Sequence, residues 1–125
     1  MAKKFNRKVG REGEEIAAKY LLGKGYKILE RNYSTRFGEI DLIVSKNDVL
    51  AFVEVKLKHG DDFGTPEEMI GSSKLSQVQR TAEFYLMDKP KMAEIYKAYS
   101  IDAVCITVGE DEKTERINHY ENLTF

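Results

Sequence analysis

The sequence predicts an α/β fold with a central mixed sheet flanked by helices, in the order α-β-β-β-α-β and with a further C-terminal strand. Three observations predict it. Apolar residues recur at helical spacing over residues 16–21 and 75–86; strand-like apolar segments stand between and after them; and 42% apolar content in 125 residues suffices for one core. One domain over residues 1–125 is expected, with residues 1–10 as a flexible basic arm.

The first helix is expected over residues 12–24, where Ile16, Ala17, Tyr20 and Leu21 form one stripe and Gly25 offers the stop. A strand over residues 26–34 follows, then two more in the stretch GEIDLIVSKNDVLAFVEVK, joined by the turn-forming residues Ser45, Lys46, Asn47 and Asp48. In HGDDFGTPEEMIG, Thr65 is an N-cap, Pro66 suits the first helical position and Glu68 completes a capping box. The second helix covers residues 74–87 through Leu75, Val78, Ala82, Tyr85 and Leu86, either continuous with that turn or restarted after Gly71-Ser72-Ser73. Residues 101–108 read as a strand and 116–120 as a short last one.

Composition narrows the function. The N-terminus is charged with no apolar run behind it, so neither a secretory leader nor a membrane span is expected. Cys105 is the only cysteine, which excludes an intrachain disulfide and a cysteine-built zinc site, reads as a small core residue, and fits a reducing cytoplasm. A net charge of −1 argues against coating nucleic acid through bulk positive charge. The charge is nevertheless divided: Lys3, Lys4, Arg7, Lys8 and Arg11 precede any acid, while the C-terminal GEDEKTERINHYEN is mostly acidic.

The third and fourth expected elements raise the functional question, because Glu39, Asp41, Glu54 and Lys56 interrupt two apolar segments. Ionised groups there are costly unless paired or bound to a metal. Alternation puts Ile40, Leu42 and Val44 on one face of the first strand and Glu39, Asp41 and Ile43 on the other; the second divides Val49, Ala51, Val53, Val55 and Leu57 from Leu50, Phe52, Glu54, Lys56 and Lys58. In a hairpin with matched apolar faces, either Asp41 faces Phe52 and Glu39 faces Glu54, or Asp41 faces Glu54 and Glu39 faces Lys56. Both registers gather acids within reach of one shared cation, and a divalent metal offsets their repulsion. The competing reading is a solvated edge strand whose charges face water.

Asp41 followed by Glu54-Val55-Lys56 resembles the PD-(D/E)xK nuclease motif, and the agreement is wider than the motif. GREGEEIAAKYLLGKGYKILERNY, GEIDLIV, FVEVK, FGTPEEMI and RINHYENLTF together resemble the YraN family of small bacterial endonuclease-like proteins over nearly the whole chain. The resemblance implies the restriction-endonuclease-like fold and kinship with archaeal Holliday junction resolvases. By position it implies Asp41 and Glu54 as metal-binding acids, Lys56 as the catalytic lysine, Glu14 as the acid of the first helix and Lys74 as the lysine opening the second long helix. Glu39 belongs to the GEIDLI signature without an assigned role, Ile40-Asp41 stands where the motif's name has Pro-Asp, and Lys58 stands where arginine is expected. Lysine there weakens bidentate phosphate contact.

The expected activity is hydrolysis of phosphodiesters in DNA, particularly branched or structured DNA in repair or recombination, with Mg2+ or Mn2+ as cofactor. Asp41, Glu54 and the Val55 backbone carbonyl offer the hard oxygens such an ion prefers, with Glu14 reaching it through water. Lys56 projects from the Glu54 face and stabilises charge on the phosphoryl group. Lys58, Lys74, Arg80 and Arg11 are candidates for DNA backbone contact. A homodimer would present two sites to a two-fold substrate, and repair or recombination proteins are further expected partners. The alternative is a nucleic-acid-binding module that keeps the fold and is inactive alone or needs a partner complex. His59 and His119 lack metal-ligand spacing and are expected at the surface, Tyr85, Tyr96 and Tyr99 are expected to pack, and Asp102 has no evident partner.

Overall fold

The computed structural model describes the backbone of residues 2–60 and 64–123, and side chains within 10–60 and 64–123. Its order is α1 (Ala2–Gly23), β1 (Lys27–Thr35), β2 (Gly38–Lys46), β3 (Val49–His59), a 3-10 turn (Glu67–Met69), α2 (Ser72–Asp88), α3 (Pro90–Ile95), β4 (Ala98–Val108) and β5 (Thr114–Tyr120). The five strands form one mixed sheet in sequence order. Neighbours pair antiparallel except β3 and β4, whose parallel pairing requires the crossover through α2 and α3. The arrangement is the restriction-endonuclease-like α/β fold expected from the sequence.

Helix α1 covers one sheet face and α2 the other. Ala17, Ala18 and Leu21 pack with Leu42, Val44, Ala51, Val53, Leu57, Val104, Ile106 and Val108; on the opposite face Leu75, Val78, Ala82 and Tyr85 pack with Ile40, Ile43, Leu50, Phe52 and Ile101. Sheet residues are therefore apolar on both faces, which is why β3 and β4 read as nearly continuous hydrophobic runs. Gly13 lets α1 lie close on β3, since a Cβ there would stand 3.1 Å from Leu57 Cβ.

Helix α1 starts well before residue 12, so the helical backbone includes the expected basic arm; the side chains of Lys3, Lys4, Arg7 and Lys8 lie outside the described residues. It stops as expected: Gly25 has a φ of 93°, and Tyr26 N–H donates to the Leu21 carbonyl. Thr65 Oγ1 accepts from Glu68 N–H at 3.3 Å, but this caps only one 3-10 turn, and α2 restarts at Ser72. The short helix α3, begun by Pro90, was not expected, nor was the full length of β4.

One face assignment is corrected. Ile40 packs with Ile43 on the α2 side, while Leu42 and Val44 pack on the α1 side. Strict alternation fails at Asp41 because β2 pairs with β3 only from Leu42↔Val53 to Lys46↔Val49 and then parts from it. Among the described residues no helix is long and apolar enough to cross a membrane.

Candidate functional site

The parting of β2 and β3 builds the site. Leu42 opposite Val53 selects the register in which Asp41 and Glu54 come next to each other. Where the ladder ends, Asp41 Oδ2 accepts the Val55 N–H at 2.8 Å. A strand residue exchanges its N–H and C=O with the same neighbour, so the Val55 carbonyl lies on the Asp41 side of β3.

Glu54 is only 7% exposed. Its Oε1 meets Lys74 Nζ of α2 at 3.6 Å, and its Oε2 is buried without a hydrogen-bond partner. Burial and the Asp41 charge push the Glu54 carboxyl up to about 8, against the opposing pull of Lys74 and Lys56. Burial and Glu39 also raise Asp41, opposed by the Val55 N–H and Lys74. Lys56 follows on the same strand face, half-buried, with Lys58 beyond it.

Helix α1 supplies the third acid. The close seat at Gly13 brings Glu14 near Asp41 and Glu39, with one carboxylate oxygen of each within 4.8 Å of the others. Burial, then Asp41, pushes the Glu14 carboxyl up to about 7. Asn32 on β1 is the residue missed by sequence reasoning: with its amide nitrogen assigned toward the acids, it donates to Glu14 Oε1 at 2.7 Å and Glu39 Oε1 at 2.8 Å. Its φ of 53° is one that asparagine tolerates better than other non-glycine residues. The only advance signal was an asparagine inside a strand, where its propensity is poor. Arg11, exposed, lines a cleft of about 290 Å³ with Gly10, Glu14, Asn32 and Glu39.

The structure thus brings Asp41, Glu54, Glu14, Glu39, Val55 and Lys74 together, whereas Arg80 stands farther along α2 beside Phe37. Clustered hard oxygens, one of them buried and unpartnered, fit a magnesium- or manganese-like ion and not a thiophilic one. His59 is exposed as expected. His119 is not at the surface: its side chain is 4% exposed, and Nε2 lies 2.8 Å from Asp102 Oδ2. Asp102 also accepts from Ser100 Oγ and Asn122 N–H, so the residue without an evident partner has three.

Comparison with known sequences finds relatives along nearly the whole chain. The family described as Uncharacterised protein family UPF0102 matches residues 13–106. The chain is 46% identical over 118 residues to a UPF0102 protein of Syntrophomonas wolfei subsp. wolfei, covering 94% of this chain and 98% of that one. It is 41% identical over 118 residues to one of Alkaliphilus oremlandii, with 94% and 98% covered, and 40% identical over 114 residues to one of Pelotomaculum thermopropionicum, with 91% and 92% covered. The site-bearing segments, from Glu14 to the end of β3, lie wholly inside the matched region, and the chain belongs to the UPF0102 family, the YraN family its sequence resembles.

Proposed function

We propose that this protein is a divalent-metal-dependent endonuclease that hydrolyses phosphodiester bonds in branched or structured DNA, in the setting of repair or recombination. The observation that carries the reading is the Asp41–Glu54 pair, two adjacent carboxylates of which one has a buried oxygen with no partner. Sequestering two acids together is unfavourable for folding unless a cation completes them. Asp41, Glu54 and the Val55 carbonyl would hold Mg2+ or Mn2+, with Glu14 acting through water. The bound ion supplies Lewis-acid stabilisation of the phosphoryl oxygens and a water of lowered pKa.

The chain's own residues do the rest. The Val55 N–H fixes the Asp41 carboxylate, and Asn32 fixes Glu14. Lys56 places an ammonium beside the scissile phosphate, where charge develops. Lys74 holds Glu54 and, with Lys58, Arg80 and Arg11, orients the DNA backbone. A homodimer offering two sites to a two-fold substrate belongs to the same proposal. The net charge of −1 favours one further reading, a binding module that turns over only within a partner complex.

The test is cleavage of a labelled panel, comprising Holliday junction, flap, single strand, duplex and RNA, with magnesium or manganese. Wild type should cut at least one structured DNA; Asp41→Ala should not, and Lys56→Ala should cut about 10²-fold more slowly, the usual loss of one electrostatic stabiliser. Failure of wild type on every substrate, with wild type and Asp41→Ala binding the junction equally, would replace catalysis by the binding-module reading.

A further inference from the structure

The tip of the β1–β2 hairpin is the two-residue loop Arg36-Phe37, and it leans on α2. The Phe37 ring is half-buried and packs on Phe84 with centroids 5.9 Å apart. Two guanidinium groups approach it, Arg36 at 5.0 Å and Arg80 at 6.0 Å from the ring centre. Phe37 and Arg80 face a groove of about 650 Å³ that Ser73, Lys74 and Gln77 also line, and none of its described lining residues is acidic. In a chain of net charge −1, this groove is a local reversal of sign.

The groove joins the acid site directly, because Lys74 lines it while its Nζ meets Glu54. The first turn of α2 opens on it too, and the N-cap Gly71 supplies no side-chain acceptor for the free N–H groups there. The ring is held in place. Gln77 Nε2 donates to the Phe37 carbonyl at 2.9 Å, and Gly38, with a φ of 150°, leaves the room Gln77 occupies, since a Cβ would lie 2.8 Å from its side chain.

We propose that this groove is a subsite for one unpaired nucleotide of the substrate DNA. The base stacks on Phe37 in place of the exposed Arg80 guanidinium; the adjacent phosphate is held by Lys74, the freed Arg80 and the first turn of α2. A ring flanked by cations offers a π-face and phosphate contacts but no hydrogen-bond code for base identity. Bases inside a duplex keep their faces stacked on one another, so only an unpaired one can take this seat. The choice of DNA as ligand rests on the nuclease reading; the stacking seat rests on the groove.

The experiment titrates protein, in EDTA and low salt, into a junction carrying 2-aminopurine at an unpaired position and into a duplex carrying it at a paired one. Stacking on Phe37 should quench the unpaired fluorophore and leave the paired one unchanged. Phe37→Leu, which keeps an apolar contact with Phe84 but offers no ring, should abolish the quench and weaken binding about tenfold, the scale of one stacked base. Phe37→Tyr should retain both, which separates loss of the ring from loss of folding. Equal quenching at the paired position, or a Phe37→Leu protein indistinguishable from wild type, would overturn the subsite. Cleavage with magnesium is read in parallel: cutting without any Phe37 effect removes the subsite and leaves the nuclease, and a quench without cutting does the reverse.

Discussion

Glu54 and Glu14 hold their protons far above the ordinary carboxylate range, to about 8 and about 7. In the unfolded chain both lose them near pH 4.5. Between those limits the folded, metal-free protein binds more protons than the unfolded one, so its stability falls as pH rises. The contribution is fully favourable below the unfolded values and is lost on the way to pH 8. Magnesium requires the deprotonated carboxylates, so its affinity should climb over the same window, and its binding should restore the stability that pH removes. Urea unfolding from pH 5 to 8.5, with and without magnesium, measures both. Glu54→Gln should make the metal-free curve shallower, leaving the part due to Glu14, and abolish the magnesium effect. A wild-type, metal-free stability that rose through this window by more than the Glu54→Gln protein's would contradict the assignment.

At the scale of elements, β5 is fastened by the His119–Asp102 contact, with the Tyr20 and Tyr26 rings edge-on to the imidazole and the Tyr26 hydroxyl donating to Glu121 at 2.9 Å. One buried pair therefore joins β4, β5 and the end of α1. His119→Ala should cost about 2–4 kcal/mol in urea unfolding, because it leaves a cavity and a buried carboxylate short of a partner. A loss below about 0.5 kcal/mol would show the contact to be incidental. This fastening was not legible in the sequence: His119 stands in a polar segment and Asp102 opens an apolar one, and only the β4–β5 register brings them together. The main helices and sheet strands were legible, since each carries its own periodicity or turn residues. Asp41, Glu54 and Lys56 were legible because charge inside apolar strands is locally anomalous. Asn32 and Phe37 were not, for their roles depend on which helix the first hairpin leans against. The expected alternation failed at Asp41 for the same reason, since where two strands part is a property of the pair.

Over the whole molecule, the positive surface expected of a DNA-binding protein is concentrated and not general. Lys56, Lys58, Lys74, Arg80 and Arg36 stand on β3, on α2 and at the hairpin tip, while Glu14, Glu39, Asp41 and Glu54 repel phosphate from the same region once they are ionised, which for Glu14 and Glu54 means at and above about pH 7 to 8. Such a surface neutralises few phosphates, and each one released of its counterion contributes a slope of about −0.9 to the dependence of log affinity on log salt. We therefore expect a slope of about −3 to −5 for junction binding in EDTA, read by fluorescence anisotropy over a potassium chloride series. Adding magnesium at constant ionic strength should tighten binding by neutralising the acids, and should leave Asp41→Ala nearly unchanged. A slope near −8 or steeper would mean that the basic residues at the start of α1 join the interface, making the arm a principal DNA contact. A slope near zero would remove nucleic acid as the ligand altogether. Only the shallow, magnesium-sensitive case fits a molecule that recognises a particular structure in DNA instead of adhering to all of it.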